Sequence, residues 1–300
     1  MQKADWSGVF PAITTPFTAD GAVDEEFLKK HVAWLLDAGC KGIVALGSLG
    51  EGATLTFEEK VRILEVCRTV TKGRAPLVAS ISGLSTGECV TLARESARVG
   101  CDGLMVLPPY VYLGDWPEIE AHFSAVLSAT KLSCMLYNNP IAYGTDLSAN
   151  DVKTLADKHP NVHAVKESSG DVRRITAVKA LLGDRLALFA GLDDMIVEAL
   201  AVGADGWVAG LVNALPSESV TLVDLAKAGR IEEALKLYAW FLPLLRFDTV
   251  PKFVQLIKLV QAEVGMGSEA VRAPRLVLSE KERKEALTIV RRHLSHRVDA

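Results

Sequence analysis

A lysine stands at the end of an apolar run in HAVKESSGDV, residues 163–172. The residues before it read as a buried strand, and a period of two places Val162, Ala164 and Lys166 on one face, with a structural His163 on the other. An amine that projects into apolar surroundings loses hydration, which favours its neutral, nucleophilic form. We therefore predict that Lys166 is a catalytic nucleophile. The alternatives are a lysine that extends to solvent or one that pairs with the glutamate after it.

Two further motifs follow predicted strands. In GSLGE, residues 47–51, the glycines allow successive backbone N–H groups to point at one anion, such as a carboxylate. A tight turn into the next helix is the alternative for this stretch. Tyr137 ends the strand before that of Lys166, so its phenol could relay protons to and from the amine. The alternative is an aromatic ring that only packs at the end of the sheet.

The elements that must position these residues alternate along the chain. In the helix predicted over 25–38, apolar residues recur at every third or fourth position, and Asp24 precedes it as an N-cap. Eight strands alternating with helices predict an α/β fold, a (β/α)8 TIM barrel. A doubly wound sheet ranks second, because no G-x-G-x-x-G follows the first strand. The predicted strands are 9–14, 42–46, 77–82, 103–107, 133–137, 162–166, 186–190 and 206–211.

An internal repeat supports the barrel. Each copy ends a helix, turns on Gly-x-x-Gly and enters a strand, and the spacing assigns the copies to strands 2, 4 and 8. The copies are DAGCKGIVALG (37–47), RVGCDGLMVLP (98–108) and AVGADGWVAGL (201–211). Beyond them, helical patterns follow one another without strands, over 231–241, 252–264 and 280–293. We predict a barrel over 1–228 and a C-terminal extension of about three helices, 229–300, packed on it.

Composition excludes several classes of function. The 300 residues are 49% apolar with a net charge of −4, and no basic block suggests nucleic acid as a partner. No apolar run is long enough to span a membrane. The five cysteines are scattered without a C-x-x-C pair, which predicts reduced thiols in a cytoplasmic protein. The histidines lack ligand spacing, so no metal is predicted, and Asp193 and Asp194 are expected to be charges at a helix N-terminus.

The motifs, taken in order, resemble the dihydrodipicolinate synthase / N-acetylneuraminate lyase family over essentially the whole chain. They are GVFPAITTPF (8–17), GSLGE (47–51), YNNP (137–140), KESSG (166–170) and GLDD (191–194). The resemblance implies a Schiff-base lyase. Lys166 would attack a 2-oxo or 2-imino carbon to form a covalent imine, with no other cofactor, while Tyr137 shuttles protons.

The resemblance also implies a binding site and an assembly. The backbone N–H groups of Ser48 and Leu49, after Gly47, would hold the substrate carboxylate, with Val208 near it. Three more residues complete the predicted substrate-binding set, Asn139, Tyr143 and Gly191. Family members are commonly dimers of dimers, so we expect a homotetramer whose partner is a small 2-oxo acid.

Departures from the family pattern bear on the substrate. The synthase usually carries a tyrosine, donated across a dimer interface, where this chain has Val111, and an arginine for a second carboxylate where it has Ala142. The pocket-facing positions are mostly apolar or bare, which predicts a small monocarboxylic acid. YNNPIAYG and GWVAGLVNALP resemble members that act in hydroxyproline breakdown, where 1-pyrroline-4-hydroxy-2-carboxylate loses its hydroxyl and ammonia. The alternatives are a pyruvate-dependent aldolase or 4-hydroxy-tetrahydrodipicolinate synthase and, more remotely, a non-catalytic ligand-sensing barrel.

Overall fold

A computed structural model describes residues 1–296, and its centre is a closed barrel of eight parallel strands. The strands are β1 Gly8–Pro11, β2 Ile43–Ala45, β3 Leu77–Ile81, β4 Gly103–Val106, β5 Ser133–Asn138, β6 Val162–Glu167, β7 Ala187–Ala190 and β8 Gly206–Ala209. From β2 onward each pairs with the next, and β8 pairs with β1. A parallel bridge between Ala12 and Val44 joins β1 to β2 and closes the circle. The predicted TIM barrel is confirmed, and the open sheet is wrong.

Helices follow the strands, and all except the short one directly after β5 cover the outside of the barrel. They are α1 Glu25–Asp37, α2 Phe57–Thr71, α3 Thr86–Val99, α4 Trp116–Leu127, α5 Pro140–Tyr143, α6 Ala149–Lys158, α7 Arg173–Leu182, α8 Ile196–Ala201 and α9 Pro216–Lys227. Side-chain caps fix several starts: the Asp24 carboxylate accepts a hydrogen bond from the N–H of Phe27, as predicted for α1. Thr56 and Glu59 form a reciprocal capping box at α2.

Three helices follow the barrel, as the sequence predicts: α10 Ile231–Leu245, α11 Phe253–Glu263 and α12 Glu280–Leu294. Helix α10 packs on α8 and α9, and α12 packs on both α10 and α11. The last four residues of the predicted extension, 297–300, lie outside the described residues. Among the described helices, none combines the length and the apolar character that a membrane crossing requires.

The repeated Gly-x-x-Gly turns have a packing reason at each glycine. The first glycine of each copy ends its helix in the left-handed region, with φ of +100° at Gly39 and +102° at Gly203. The second glycine lies against an aromatic ring inside the barrel. A Cβ atom at Gly42 would lie 2.1 Å from the ring of Phe10. The repeat therefore pairs a helix stop with space for core aromatics.

An aromatic cluster fills the N-terminal half of the barrel. The ring centroids of Trp6 and Phe10 are 5.7 Å apart, and that of Phe189 lies 6.1 Å from Trp6 and 5.5 Å from Phe10. All three side chains are buried. A cavity inside the barrel is therefore left to its C-terminal end, where the strand ends carry the predicted site residues.

Candidate active site

Lys166 and Tyr137 lie side by side at the C-terminal ends of neighbouring strands. The pairing of β5 with β6 puts Tyr137 in register with Lys166. The Nζ atom of Lys166 lies 4.2 Å from the centroid of the Tyr137 ring, and both residues are only 6% exposed. The amine therefore sits among buried groups, against the ring of Tyr137.

The alternatives for Lys166 find no support in its contacts. Its amine makes no ion pair among residues 1–296. The neighbouring Glu167 accepts hydrogen bonds from Asn138 Nδ2 at 3.0 Å and from the N–H of Ser169 at 2.6 Å. Burial raises the pKa of Glu167, and these bonds oppose that rise. The carboxylate beside the lysine therefore has partners of its own.

The prediction that Val162 shares a face with Ala164 and Lys166 is wrong for Val162. The register of β5 and β6 shifts at Cys134 and Met135, so that Met135 pairs with Ala164 instead of His163. Val162 packs in the outer core, whereas Ala164 packs inside the barrel. The bulge thus breaks the period of two. His163 hydrogen-bonds Ser133 Oγ at 2.8 Å, which also accepts from the indole N–H of Trp6.

Tyr137 is oriented by the loop that follows its own strand. Asn139 Nδ2 donates a hydrogen bond to Tyr137 Oη at 3.0 Å. The Asn139 carbonyl oxygen caps α5 by accepting from the N–H of Ala142 at 3.0 Å. The side chain of Asn139 is therefore held at both ends, which fixes the phenol. Its direct contact is with Tyr137, and the prediction that it binds substrate stays a prediction.

The loop after β2 presents two free backbone donors. Neither the N–H of Ser48 nor that of Leu49 has a hydrogen-bond acceptor within residues 1–296. Leu46, before the loop, has a φ of +67°, and Glu51, at its end, has a φ of +56°. Such unpaired, adjacent N–H groups form a concave anion site. This geometry suits the carboxylate role predicted for Gly47, Ser48 and Leu49.

A buried ion pair holds this loop against the C-terminal helices. Lys258 Nζ lies 2.6 Å from Glu51 Oε1, with exposures of 3% and 0% for the two side chains. The Glu51 carboxylate also accepts from the N–H of Arg272 at 2.9 Å. The lysine further donates to the carbonyl oxygen of Thr15 at 2.8 Å. Helix α11 thereby fixes the backbone that carries the free donors.

A cluster of hydroxyl groups lies next to the loop. Ser48 Oγ is hydrogen-bonded to Tyr143 Oη, and the ring of Tyr143 stacks on Tyr110 with centroids 5.4 Å apart. The Tyr143 ring also meets that of Tyr137 edge-on at 5.8 Å. Burial and the neighbouring phenols raise the pKa of Tyr143, and burial raises the pKa of Tyr110. These phenols are therefore neutral hydrogen-bond groups near pH 7.

One cavity of about 520 Å³ brings together all nine predicted site residues. They are Gly47, Ser48, Leu49, Tyr137, Asn139, Tyr143, Lys166, Gly191 and Val208. Gly191 is required by the lysine itself, because a Cβ atom there would lie 2.8 Å from Lys166 Cε and 1.9 Å from Ser168 Oγ. The lining continues beyond the barrel to the segment between α10 and α11, where it includes Asp248. Ala142 lines the cavity as well, whereas Val111 is 92% exposed outside it.

The first of the two aspartates after β7 departs from its predicted role. Asp193 is completely buried in a short 3-10 turn. Its carboxylate accepts from the N–H of Gly210, the N–H of Leu211 and the indole N–H of Trp207, at 2.7 to 3.1 Å. Burial raises its pKa to about 6, and these bonds oppose the rise. It fixes the loop after β8 and is not a solvent-exposed helix charge, because its partners come from the next strand.

Sequence reasoning missed Asp248. It lies in the turn Arg246–Thr249, far along the chain from the strand ends that carry the predicted site residues. No motif marks it, and only the docking of the extension on the barrel brings it to the cavity. Three residues in the cavity lining are charged, Lys166, Asp194 and Asp248. Within residues 1–296 no group of His, Cys, Asp or Glu side chains is arranged to hold a metal ion.

Comparison with known proteins agrees with this geometry. The sequence model that describes the dihydrodipicolinate synthetase family matches residues 5–293 of this chain. The 4-hydroxy-tetrahydrodipicolinate synthase of Exiguobacterium sibiricum is 35% identical over 91% of this chain and 92% of its own. The crystal structure of a putative dihydrodipicolinate synthetase from Pseudomonas aeruginosa is 30% identical, with a TM-score of 0.91 over 96% of this chain and 99% of its own.

A further solved structure carries a ligand. It is a prophage protein of the dihydrodipicolinic acid synthase family from E. coli K12, in complex with pyruvate. It is 28% identical to this chain, with a TM-score of 0.91 over 96% of this chain and 98% of its own. The family match spans nearly the whole chain, so its barrel and its C-terminal helices are both accounted for. The chain is thus an enzyme, a lyase of the class I aldolase type, and it belongs to the dihydrodipicolinate synthetase family.

Proposed function

We propose that Lys166 forms an imine with C2 of a small 2-oxo or cyclic 2-imino monocarboxylic acid, without another cofactor. The free N–H groups of Ser48 and Leu49 would hold the C1 carboxylate, and Tyr137 would exchange protons at the imine. The buried amine beside the phenol supports this chemistry, because it combines a desolvated nucleophile with an acid–base group.

The charge of the cavity is the observation that carries the choice of substrate. Besides Lys166, the lining contains no lysine, arginine or histidine among the described residues, but it contains Asp194 and Asp248. A second substrate carboxylate would find no cationic partner besides Lys166 in this lining. A tail with hydroxyl or amine groups would instead find hydrogen-bond partners. This supports a monocarboxylate over a dicarboxylate.

The specific substrate that we propose is 1-pyrroline-4-hydroxy-2-carboxylate. Lys166 would attack C2, and the ring would open as the bond from C2 to nitrogen breaks, which frees an amine on C5. Loss of the 4-hydroxyl as water and hydrolysis of the resulting imines would give 2-oxoglutarate semialdehyde and ammonia. The balance is one water consumed and one ammonia released. We propose that the reaction takes place in the cytoplasm, and the five free, buried cysteines support a reducing compartment.

A second candidate is a pyruvate-dependent aldolase or a 4-hydroxy-tetrahydrodipicolinate synthase. The names of the relatives favour it, and the acidic lining of the cavity weighs against the synthase. A non-catalytic sensor is the remote alternative, and a binding protein has no use for a buried lysine in contact with a tyrosine.

Borohydride trapping followed by mass spectrometry tests the proposal. The protein is incubated separately with pyruvate, a 2-keto-3-deoxy sugar acid and the hydroxypyrroline carboxylate, and ammonia release is measured in parallel. We expect a reduced adduct on Lys166, formed fastest from the hydroxypyrroline, and ammonia from that compound alone. Lys166→Arg should abolish the adduct, whereas Lys284→Arg, at an exposed position, should not.

Each outcome separates the candidates. An adduct with pyruvate and turnover of an added aldehyde, without ammonia from the hydroxypyrroline, would favour the aldolase. An absence of any adduct would contradict the imine mechanism and favour the sensor.

A further inference from the structure

The carboxyl group of Asp248 lies over the C-terminal end of β8. Its Oδ1 atom occupies the place where a side chain at Gly210 would begin, because a Cβ atom there would lie 2.1 Å from it. The backbone N–H of the same glycine donates to Asp193. Gly210 is therefore enclosed by two carboxyl groups, one buried in the barrel and one from the extension.

The two carboxyl groups differ in their partners. Asp193 accepts hydrogen bonds from two backbone N–H groups and an indole. Asp248 has no hydrogen bond and no ion pair within residues 1–296, although it is largely shielded from solvent. A shielded carboxyl without a donor is unfavourable for folding. Because Asp248 lines the cavity, a bound substrate can supply the hydrogen-bond partner that Asp248 lacks.

The surroundings of Asp248 favour its protonated form, which is the form that can act as an acid. Burial raises the pKa of Asp248 well above its usual range, and the neighbouring Asp193 and Asp194 add to the rise. The Lys166 ammonium opposes the rise but is not its largest cause. The carboxyl can therefore hold a proton in the cavity.

The shape of the site directs the substrate tail towards this carboxyl. Lys166 on β6 and the loop after β2, residues 47–51, which we call the anion loop, lie on opposite sides of the barrel. One flank between them is filled by the rings of Tyr137 and Tyr143. The other flank is lined by Gly191, Gly210 and Asp248. C3 and C4 of a substrate held at C1 and C2 would extend along this flank, towards Asp248.

We infer that Asp248 is a further catalytic residue, the acid that protonates the oxygen on C4 of the imine-bound substrate. The inference rests on the proposed Schiff-base function. In the elimination, the C3 proton goes to the C5 amine that ring opening has freed, and its electron pair forms the C3–C4 double bond. The C4–O bond breaks, and the oxygen leaves as water with the proton of Asp248. The carboxylate regains its proton from the ammonium when ammonia departs.

The variant Asp248→Asn separates this role from imine formation. We expect borohydride trapping on Lys166 at a rate within about twofold of wild type. Ammonia release should fall about 10²- to 10⁴-fold, which is the usual contribution of general acid catalysis. The trapped adduct should retain the 4-hydroxyl and be heavier by one water than the dehydrated adduct from wild type. Glu232→Gln, at an exposed position of α10, is the matched control and should behave as wild type.

Two results would overturn the inference. The first is ammonia release by Asp248→Asn at the wild-type rate. The second is a parallel loss of trapping and ammonia release, which would show that Asp248 only positions Lys166. Trapping also reports folding, and Asp248→Glu, which retains an acid at a displaced position, should recover part of the ammonia release.

The experiments also distinguish a wrong choice of substrate from a wrong role for Asp248. If wild type releases no ammonia but adds pyruvate to an aldehyde, the acid acts on the aldehyde oxygen that becomes the C4 hydroxyl. Asp248→Asn should then form the pyruvate imine normally and lose aldol addition, and an unchanged addition rate would overturn the inference. A wild type that forms no imine with any of the compounds would overturn both proposals.

Discussion

At the scale of single residues, the site is a buried amine surrounded by groups with one task each. The glycine after β7 gives the lysine stem room, the phenol ring of Tyr137 packs against the amine, and the loop after β2 offers free N–H groups. Of these groups, the phenol is the one that the proposed mechanism uses for proton exchange at the imine.

Removing the phenol oxygen should slow proton transfer without removing the nucleophile. In Tyr137→Phe, Asn139 Nδ2 loses its acceptor while the ring remains against Lys166. We expect kcat to fall about 10²- to 10³-fold, in the range for general acid–base catalysis, with an adduct on Lys166 still trapped. Steady-state kinetics and trapping measure the two effects. A Tyr137→Phe enzyme with wild-type kcat would refute the role of the phenol.

A buried histidine on α1 should make stability depend on pH. His31 Nε2 lies 3.0 Å from the carbonyl oxygen of Asn213, and burial lowers the His31 pKa to about 4. The unfolded chain has the ordinary histidine pKa of about 6.5. Its neutral folded form therefore adds stability that is complete above about pH 6.5 and is lost as the pH falls from about 6.5 to 4.

The expected loss is about 2 kcal/mol between about pH 7 and 5. Urea denaturation of wild type and His31→Gln at both pH values isolates this contribution, since the glutamine amide can still donate to Asn213 without titrating. A free energy of unfolding that falls equally in both proteins would contradict it.

At the scale of elements, the anion loop depends on the C-terminal helices. Lys258→Met leaves the Glu51 carboxylate buried with fewer partners, so we expect a loss of about 3 to 5 kcal/mol in the free energy of unfolding. Activity should fall as well, because Glu51 fixes the loop that carries the free N–H groups. Urea denaturation measures the change. The double variant Lys258→Met with Glu51→Gln should regain part of the stability, and a single variant as stable as wild type would show that the ion pair is dispensable.

The strand ends could be predicted from the sequence because barrel topology alone places them on one face. All nine predicted residues line one cavity for that reason. The bulge at the start of β6 could not be predicted, since one extra residue in a strand leaves the apolar pattern unchanged. Asp193 was misassigned because its partners come from β8. Asp248 was missed because docking of a separate segment, with no local signal, brings it to the cavity.

At the scale of the whole molecule, an exposed apolar surface lies beside the active site. Val111, Leu113 and Ile141 are 92%, 66% and 71% exposed, and Leu113 packs against Gly144 at the end of α5. Apolar side chains exposed together are typical of protein interfaces. We propose that this surface contributes to the homotetramer expected from the family resemblance.

Charges on this surface should therefore break the assembly. We expect Val111→Asp with Leu113→Asp to convert tetramers to smaller species. Light scattering after size-exclusion chromatography measures the mass, and Leu276→Asp, 79% exposed between α11 and α12, is the control. A wild type that runs as a monomer would contradict the proposed assembly.

The aromatic cluster in the N-terminal half of the barrel limits how small molecules reach and leave the cavity. With Trp6, Phe10 and Phe189 packed across the interior, the cavity is closed towards the N-terminal ends of the strands and opens towards their C-terminal ends. Substrate, water and ammonia would therefore enter and leave at the C-terminal ends of the strands. In the proposed mechanism the imine is hydrolysed by water that enters from the same end, so we expect ammonia to leave before the keto acid.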